Sequence, residues 1–147
     1  MTGVQTCALP IYLLRPDGQP VHVITSGDPL DIKAAISARR AVDDLVVGVA
    51  IFSADGTCCF GTNTAIDGAS TGGVDGDGEV RFCIDRLDLT EGTYKLDVAV
   101  HRANGAPYDY HRQLYTLRVT SGKKDAGVFR PPHRWRFSGA IRMSGLP

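Results

Sequence analysis

The stretch Gly78–Arg102, GEVRFCIDRLDLTEGTYKLDVAVHR, decides the fold, because it carries two period-2 patterns joined by a short polar link. In the first, Val80, Phe82 and Ile84 point one way while Glu79, Arg81, Cys83 and Asp85 point the other. In the second, Tyr94, Leu96, Val98 and Val100 oppose Lys95, Asp97 and His101. Such alternation is how half-buried antiparallel strands read, with one face in a core and the other in solvent. Phe82, Tyr94, Leu96 and Val98 are therefore expected in the core. No catalytic motif accompanies them, so function is expected on a polar face.

Working outward, the same period recurs. Tyr12–Arg15 and Pro20–Thr25 read as short strands around a Pro16-Asp17-Gly18 turn, and Ser26-Gly27-Asp28-Pro29 turns into Leu30–Arg39. There Leu30, Ile32, Ala34, Ile36 and Ala38 alternate with more polar positions, whereas a helical period would scatter Leu30, Ile32 and Ile36 around the axis. Leu45–Ser53 is apolar on both faces and reads as an interior strand. Ala54-Asp55-Gly56 gives a hairpin into Thr57–Gly61, and Asn63–Asp77 reads as the longest irregular segment. Pro107–His111 and Gln113–Thr120 complete the series. About eight short strands with turns between them and no helical pattern predict an all-β antiparallel β-sandwich. A jelly roll would differ only in strand order.

Sixteen Lys+Arg balance sixteen Asp+Glu, so nucleic acid and anionic membranes find no net positive charge, and neutral polar partners are the more compatible class. No apolar run approaches the roughly 18 residues of a membrane span, and the start lacks a secretory signal pattern, so the cytoplasm is the expected compartment. Cys7, Cys58, Cys59 and Cys83 form no CxxC pair and no Cys/His zinc spacing, which predicts reduced thiols and no metal. Asp75, Asp77 and Glu79 lack the glycine and bidentate glutamate of a calcium loop. The opening MTGVQTCALPI does not join the pattern and resembles a translated sequencing-adapter leader. The expected organisation is thus a non-native leader over 1–11, a sandwich over 12–120 and a C-terminal arm over 121–147.

Three segments together carry a resemblance: VVGVAIFSADGTCCFGTNT (46–64), GEVRFCIDRLDLTEGTYKLDVAVH (78–101) and GVFRPPHRWRF (127–137). Their succession resembles the C-terminal domain of the Wzt-type ATP-binding subunit of O-antigen polysaccharide exporters. The resemblance implies a non-catalytic, immunoglobulin-like sandwich that binds the exported lipid-linked polysaccharide and dimerises by exchanging its last strand. It further implies a place at the inner face of the inner membrane, through an ATPase domain and a transmembrane subunit. Ser121-Gly122-Lys123-Lys124 has neither the glycine spacing nor the following helix of a nucleotide loop, so no ATP site and no cofactor is assigned to this chain.

A glycan site needs aromatic faces for the C–H patches of a sugar, with carboxylate, amide or guanidinium groups for its hydroxyls. Tyr108, Tyr110 and His111, beside His101 and Arg102, are the densest such set. The same tyrosines could simply pack on a strand edge. A polar row of Glu79, Arg81 and Asp85 opposite Lys95 and Asp97 reads more readily as cross-strand ion pairs, and Asn63 and Thr64 as turn residues. In the arm, Pro131-Pro132 stiffens the chain so that Val128, Phe129 and Trp135 can reach a second copy or close the sandwich of their own. Two other functions stay open. One is a purely structural dimerisation domain. The other is a sugar-processing enzyme, which needs His101, His111 and Asp97 or Asp109 to converge.

Overall fold

A computed structural model describes residues 6–7, 10–69, 71–142 and 144. Its strands are β1 (Thr6–Cys7), β2 (Ile11–Leu14), β3 (Val23–Thr25), β4 (Leu30–Val42), β5 (Val46–Ser53), β6 (Cys58–Asn63), β7 (Val74–Ile84), β8 (Gly92–His101) and β9 (Pro107–Thr120). They form a two-sheet, immunoglobulin-like sandwich. In the smaller sheet β4 is central, with β1 and β2 along one side and β7 along the other; the larger sheet runs β3-β9-β8-β5-β6. Every pair is antiparallel except β3 with β9.

The inward rows of both sheets meet in one apolar cluster that includes Ile24, Leu30, Ile32, Ile51, Leu96, Val98, Leu117 and Val119. A second cluster, Ile36, Leu45, Val47 and Val100, extends it toward the Asp44 corner. Tyr94, Leu96 and Val98 are buried as their alternation predicts. Phe82 is only half-buried, because β7 is an edge strand, and its ring stacks on Phe60 of the other edge strand, β6, at 6.5 Å. Cys58, Cys59 and Cys83 are free thiols, and Cys59 alone of the three packs against the core. The side chain of Cys7 lies outside the described residues.

Four expectations change. The short polar link between β7 and β8 does not set the two strands side by side, as cross-strand ion pairs between them would need: it carries the chain from one sheet to the other. Its own Leu87 and Leu89 are buried, the Leu87 carbonyl accepts from Gly27 N–H at 2.8 Å, and the Leu89 carbonyl accepts from the Ser26 hydroxyl at 2.6 Å. Asn63–Asp77 is shorter as a loop than expected, since β7 starts at Val74. Gly73 permits that start: its φ is 89°, and a Cβ there would lie 2.0 Å from the Val42 carbonyl oxygen. Pro107–His111 and Gln113–Thr120 are one strand with a bulge, at which Gln113 takes φ 48°. The boundary at residue 11 falls inside a sheet, with Ile11 opposite Ala34 and Thr6–Cys7 opposite Ala38 and Ser37. A strand of 13 residues leaves edge groups that the four-residue β2 cannot satisfy, and β1 pairs with some of them. Residues 1–5 and 8–9 of the expected leader lie outside the described residues.

Candidate functional site

Register divides the five candidate residues between two faces. Val98 and Val100 point into the core, so their partners His111 and Asp109 point inward as well. His111 is buried and bridges Asp109 Oδ2 through Nε2 at 3.1 Å and the Tyr115 hydroxyl through Nδ1 at 2.6 Å. A carboxylate only accepts, so in the neutral imidazole Nε2 donates to Asp109 and Nδ1 accepts from Tyr115. Burial and the Asp109 charge push the Tyr115 phenol up from its ordinary pKa. This is an internal network, closed to a large ligand.

Tyr108 is likewise committed to the fold. Its ring packs against the second apolar cluster, its hydroxyl donates to the Asp44 carbonyl at 3.1 Å, and Arg102 lies over its ring at 5.1 Å. The ring of His101 turns toward the Arg102 carbonyl, 2.7 Å from Nδ1. His111 and Asp109 meet, but His101 turns to the Arg102 carbonyl and Asp97 is held by Tyr110 and Gln113, so neither His101, His111 and Asp97 nor His101, His111 and Asp109 converge as a set. Asn63 and Thr64 hold backbone: Asn63 Oδ1 accepts from Ile66 N–H at 2.8 Å, and Thr64 Oγ1 accepts from Val47 N–H at 3.2 Å.

Tyr110 is different. It pairs with Ala99 on the outer face of the larger sheet and is half exposed. Its hydroxyl donates to Asp97 Oδ2 at 2.8 Å, and Arg112 lies 5.4 Å from its ring centre. The other oxygen of Asp97 accepts the Gln113 N–H at 2.6 Å. One buried carboxylate thus fixes both the β9 bulge and the aromatic ring beside it. Sequence alternation placed Asp97 outward but could not show that the bulge and Tyr110 would cover it. The same hydrogen bond, with burial and the Asp97 charge, raises the Tyr110 phenol above its ordinary pKa.

Asp97→Ala is expected to cost about 1–3 kcal/mol, because it strips a partner from the Gln113 N–H. Chemical denaturation measures that loss. In the same variant the Tyr110 pKa should move back down, which ultraviolet titration reads.

Beside Tyr110 the outer face is low. Gly48 lies between Asn63 and Ala99, and Ala50 lies between Gly61 and Asp97, so glycine and alanine floor a shelf across β6, β5 and β8. No alternation rule reveals this shelf, since it is made of neighbours on three strands. The smaller sheet's outer face is instead closed by ion pairs, Lys33 with Glu79 at 3.1 Å and Asp31 with Arg81 at 3.5 Å. The expected pairing of Glu79 and Arg81 with Lys95 and Asp97 fails because β7 and β8 belong to different sheets.

At the open edge, an apolar cavity of about 420 Å³ is lined by Phe60, Phe82, Leu87, Leu89, Val128 and Phe129 among others. Phe129 bridges Leu89 of its own chain, and Thr90 N–H donates to the Val128 carbonyl at 3.1 Å. The start of the arm therefore packs in place, while Trp135, Phe137 and Ile141 beyond it are exposed.

The sequence profile of the Wzt C-terminal domain matches residues 9–131. The chain belongs to the Wzt C-terminal domain family. This Wzt C-terminal domain is 29% identical over 137 residues to the O-antigen export system ATP-binding protein RfbB of Myxococcus xanthus, a match covering 92% of the chain and 30% of RfbB. The chain thus spans under a third of that relative. In fold it is similar to the crystal structure of the C-terminal domain of Wzt, with TM-score 0.82 and 17% identity over 94% of this chain and 87% of that one.

Proposed function

We propose that this Wzt C-terminal domain is a non-catalytic carbohydrate-binding module, which recognises an O-antigen-type polysaccharide for export. The observation that carries the reading is Tyr110, an exposed ring anchored through its hydroxyl to buried Asp97 at the edge of a Gly/Ala shelf. A ring held in this way loses little conformational freedom on stacking against a sugar, and the shelf lets a pyranose approach the backbone. Arg112 joins Tyr110 in the proposed site, with His101 and Arg102 at its rim. Tyr108 and His111 support it from beneath.

The name and length of RfbB support a wider setting. In it the domain is joined to an ATP-binding domain, works with a transmembrane subunit at the cytoplasmic side of the inner membrane, and meets its polysaccharide linked to a lipid. Tyr110→Ala is expected to weaken polysaccharide binding by about 1–3 kcal/mol with folding nearly unchanged. Calorimetric titration against O-antigen polysaccharides is the test. Full affinity in the folded variant would remove Tyr110 from the site.

The exposed Trp135, Phe137 and Ile141 favour a second, compatible role in which arms are exchanged between two copies. Truncation after Pro132 keeps the Leu89–Phe129 bridge and removes these side chains. It is expected to convert a dimer to a monomer in light scattering, and a full-length chain already monomeric at high micromolar concentration would exclude exchange.

A further inference from the structure

The overall charge is zero, but the two faces of the sandwich do not share it equally. On the outer face of the larger sheet, β3, β5 and β6 contribute no charge; β8 contributes Lys95 and Asp97, and β9 contributes Arg112 and Arg118. Asp97 is 5% exposed, with both oxygens already engaged. The three cations have no carboxylate partner among the described residues. Lys95 Nζ bonds Thr116 Oγ1 at 2.9 Å, Arg118 reaches Thr93 Oγ1 at 3.4 Å, and Arg112 lies against the Tyr110 ring. On the outer face of the smaller sheet Asp31, Asp77 and Glu79 are matched by Lys33, Arg81 and Arg39, and Lys33 and Arg81 are each held in an ion pair.

We infer that the glycan taken by this face is acidic along its chain, a polymer whose repeat carries carboxylate or phosphate groups. The inference rests on the glycan reading of the same face and narrows it. From the Thr93–Arg118 pair to the Val98–His111 pair beside Arg112 is five residues of β8, about 17 Å at the usual strand rise. Cations distributed over that length match charges repeated along a polymer better than one charge at its end. Guanidinium groups suit carboxylate and phosphate oxygens, and Tyr110 beside Arg112 offers the apolar C–H face of the same sugar a surface. An unpaired cationic face also draws a polyanion in from solution, an attraction that salt screens.

The test is calorimetric titration of the full chain with oligogalacturonate and with the same oligomer after its carboxylates are reduced to alcohols. Oligogalacturonate should bind. Its affinity should fall ~10-fold between low and physiological ionic strength, and by a similar factor in the triple variant Lys95→Gln, Arg112→Gln, Arg118→Gln. Arg39→Gln, an exposed cation on the other sheet, should leave it unchanged. Equal binding of the reduced oligomer would overturn the acidic class and leave the glycan reading intact. Binding of neither oligomer would overturn both, and equal affinity for an oligodeoxythymidylate would show a surface for any polyanion and overturn the inference.

Discussion

Leu96→Ala is expected to lower the unfolding free energy by about 2–5 kcal/mol, the range for emptying a buried leucine site. Leu96 is 0% exposed, sits in the middle of β8, and lies between Ile51 of β5 and Tyr115 of β9. Both neighbours belong to paired strands, so the surrounding backbone has little freedom to collapse into the space. Equilibrium denaturation in urea measures the loss. A change below about 0.5 kcal/mol, the scale of ordinary surface substitutions, would mean that the inward row is misassigned.

Ala50→Trp is expected to weaken polysaccharide binding ~100-fold or more, about 2.8 kcal/mol, while the domain stays folded. Val49 and Ile51 point into the core, which turns Ala50 out onto the shelf between Gly61 and Asp97. A Cβ on Gly61 would lie 3.4 Å from that of Ala50, so side chains at both positions rise from the same floor. Tryptophan suits a strand, and its indole would occupy the space proposed for a sugar ring. Titration of the wild-type chain and the variant with the same polysaccharide gives the comparison. Unchanged affinity in a folded Ala50→Trp protein would place the ligand away from the shelf.

Alternation located the strands because burial on one face acts on every second residue. It identified β4 as a strand, the interior position of β5, and the inward row of β8. It could not identify neighbours across space. The link after β7 read as a short polar connection because its polar residues dominate, whereas buried Leu87 and Leu89 mark it as a crossing between sheets. The pairing of β3 with β9 joins Val23–Thr25 to Arg118–Thr120, a contact far too distant in sequence for local pattern to show.

The candidate site was legible in part for the same reason. Tyr110 was visible as an aromatic in a polar strand. The bulge at Gln113 sets His111 opposite Val98, and neighbouring residues of a strand point to opposite faces. Spacing alone grouped His111 with Tyr110, and the two side chains lie on opposite faces. Net charge was as blind to position, since a balanced total conceals Lys95, Arg112 and Arg118 on one face without a carboxylate partner among the described residues.

The claim that the outer face of the larger sheet holds the glycan is tested most directly by following the backbone amides in nuclear magnetic resonance spectra during titration with O-antigen polysaccharides. The shifts should concentrate at Gly48, Ala50, Gly61, Ala99, Tyr110 and Arg112, and should leave Lys33, Ser37 and Glu79 on the opposite sheet in place. Shifts confined to that opposite sheet, or to the cavity around Phe60 and Phe129, would contradict it.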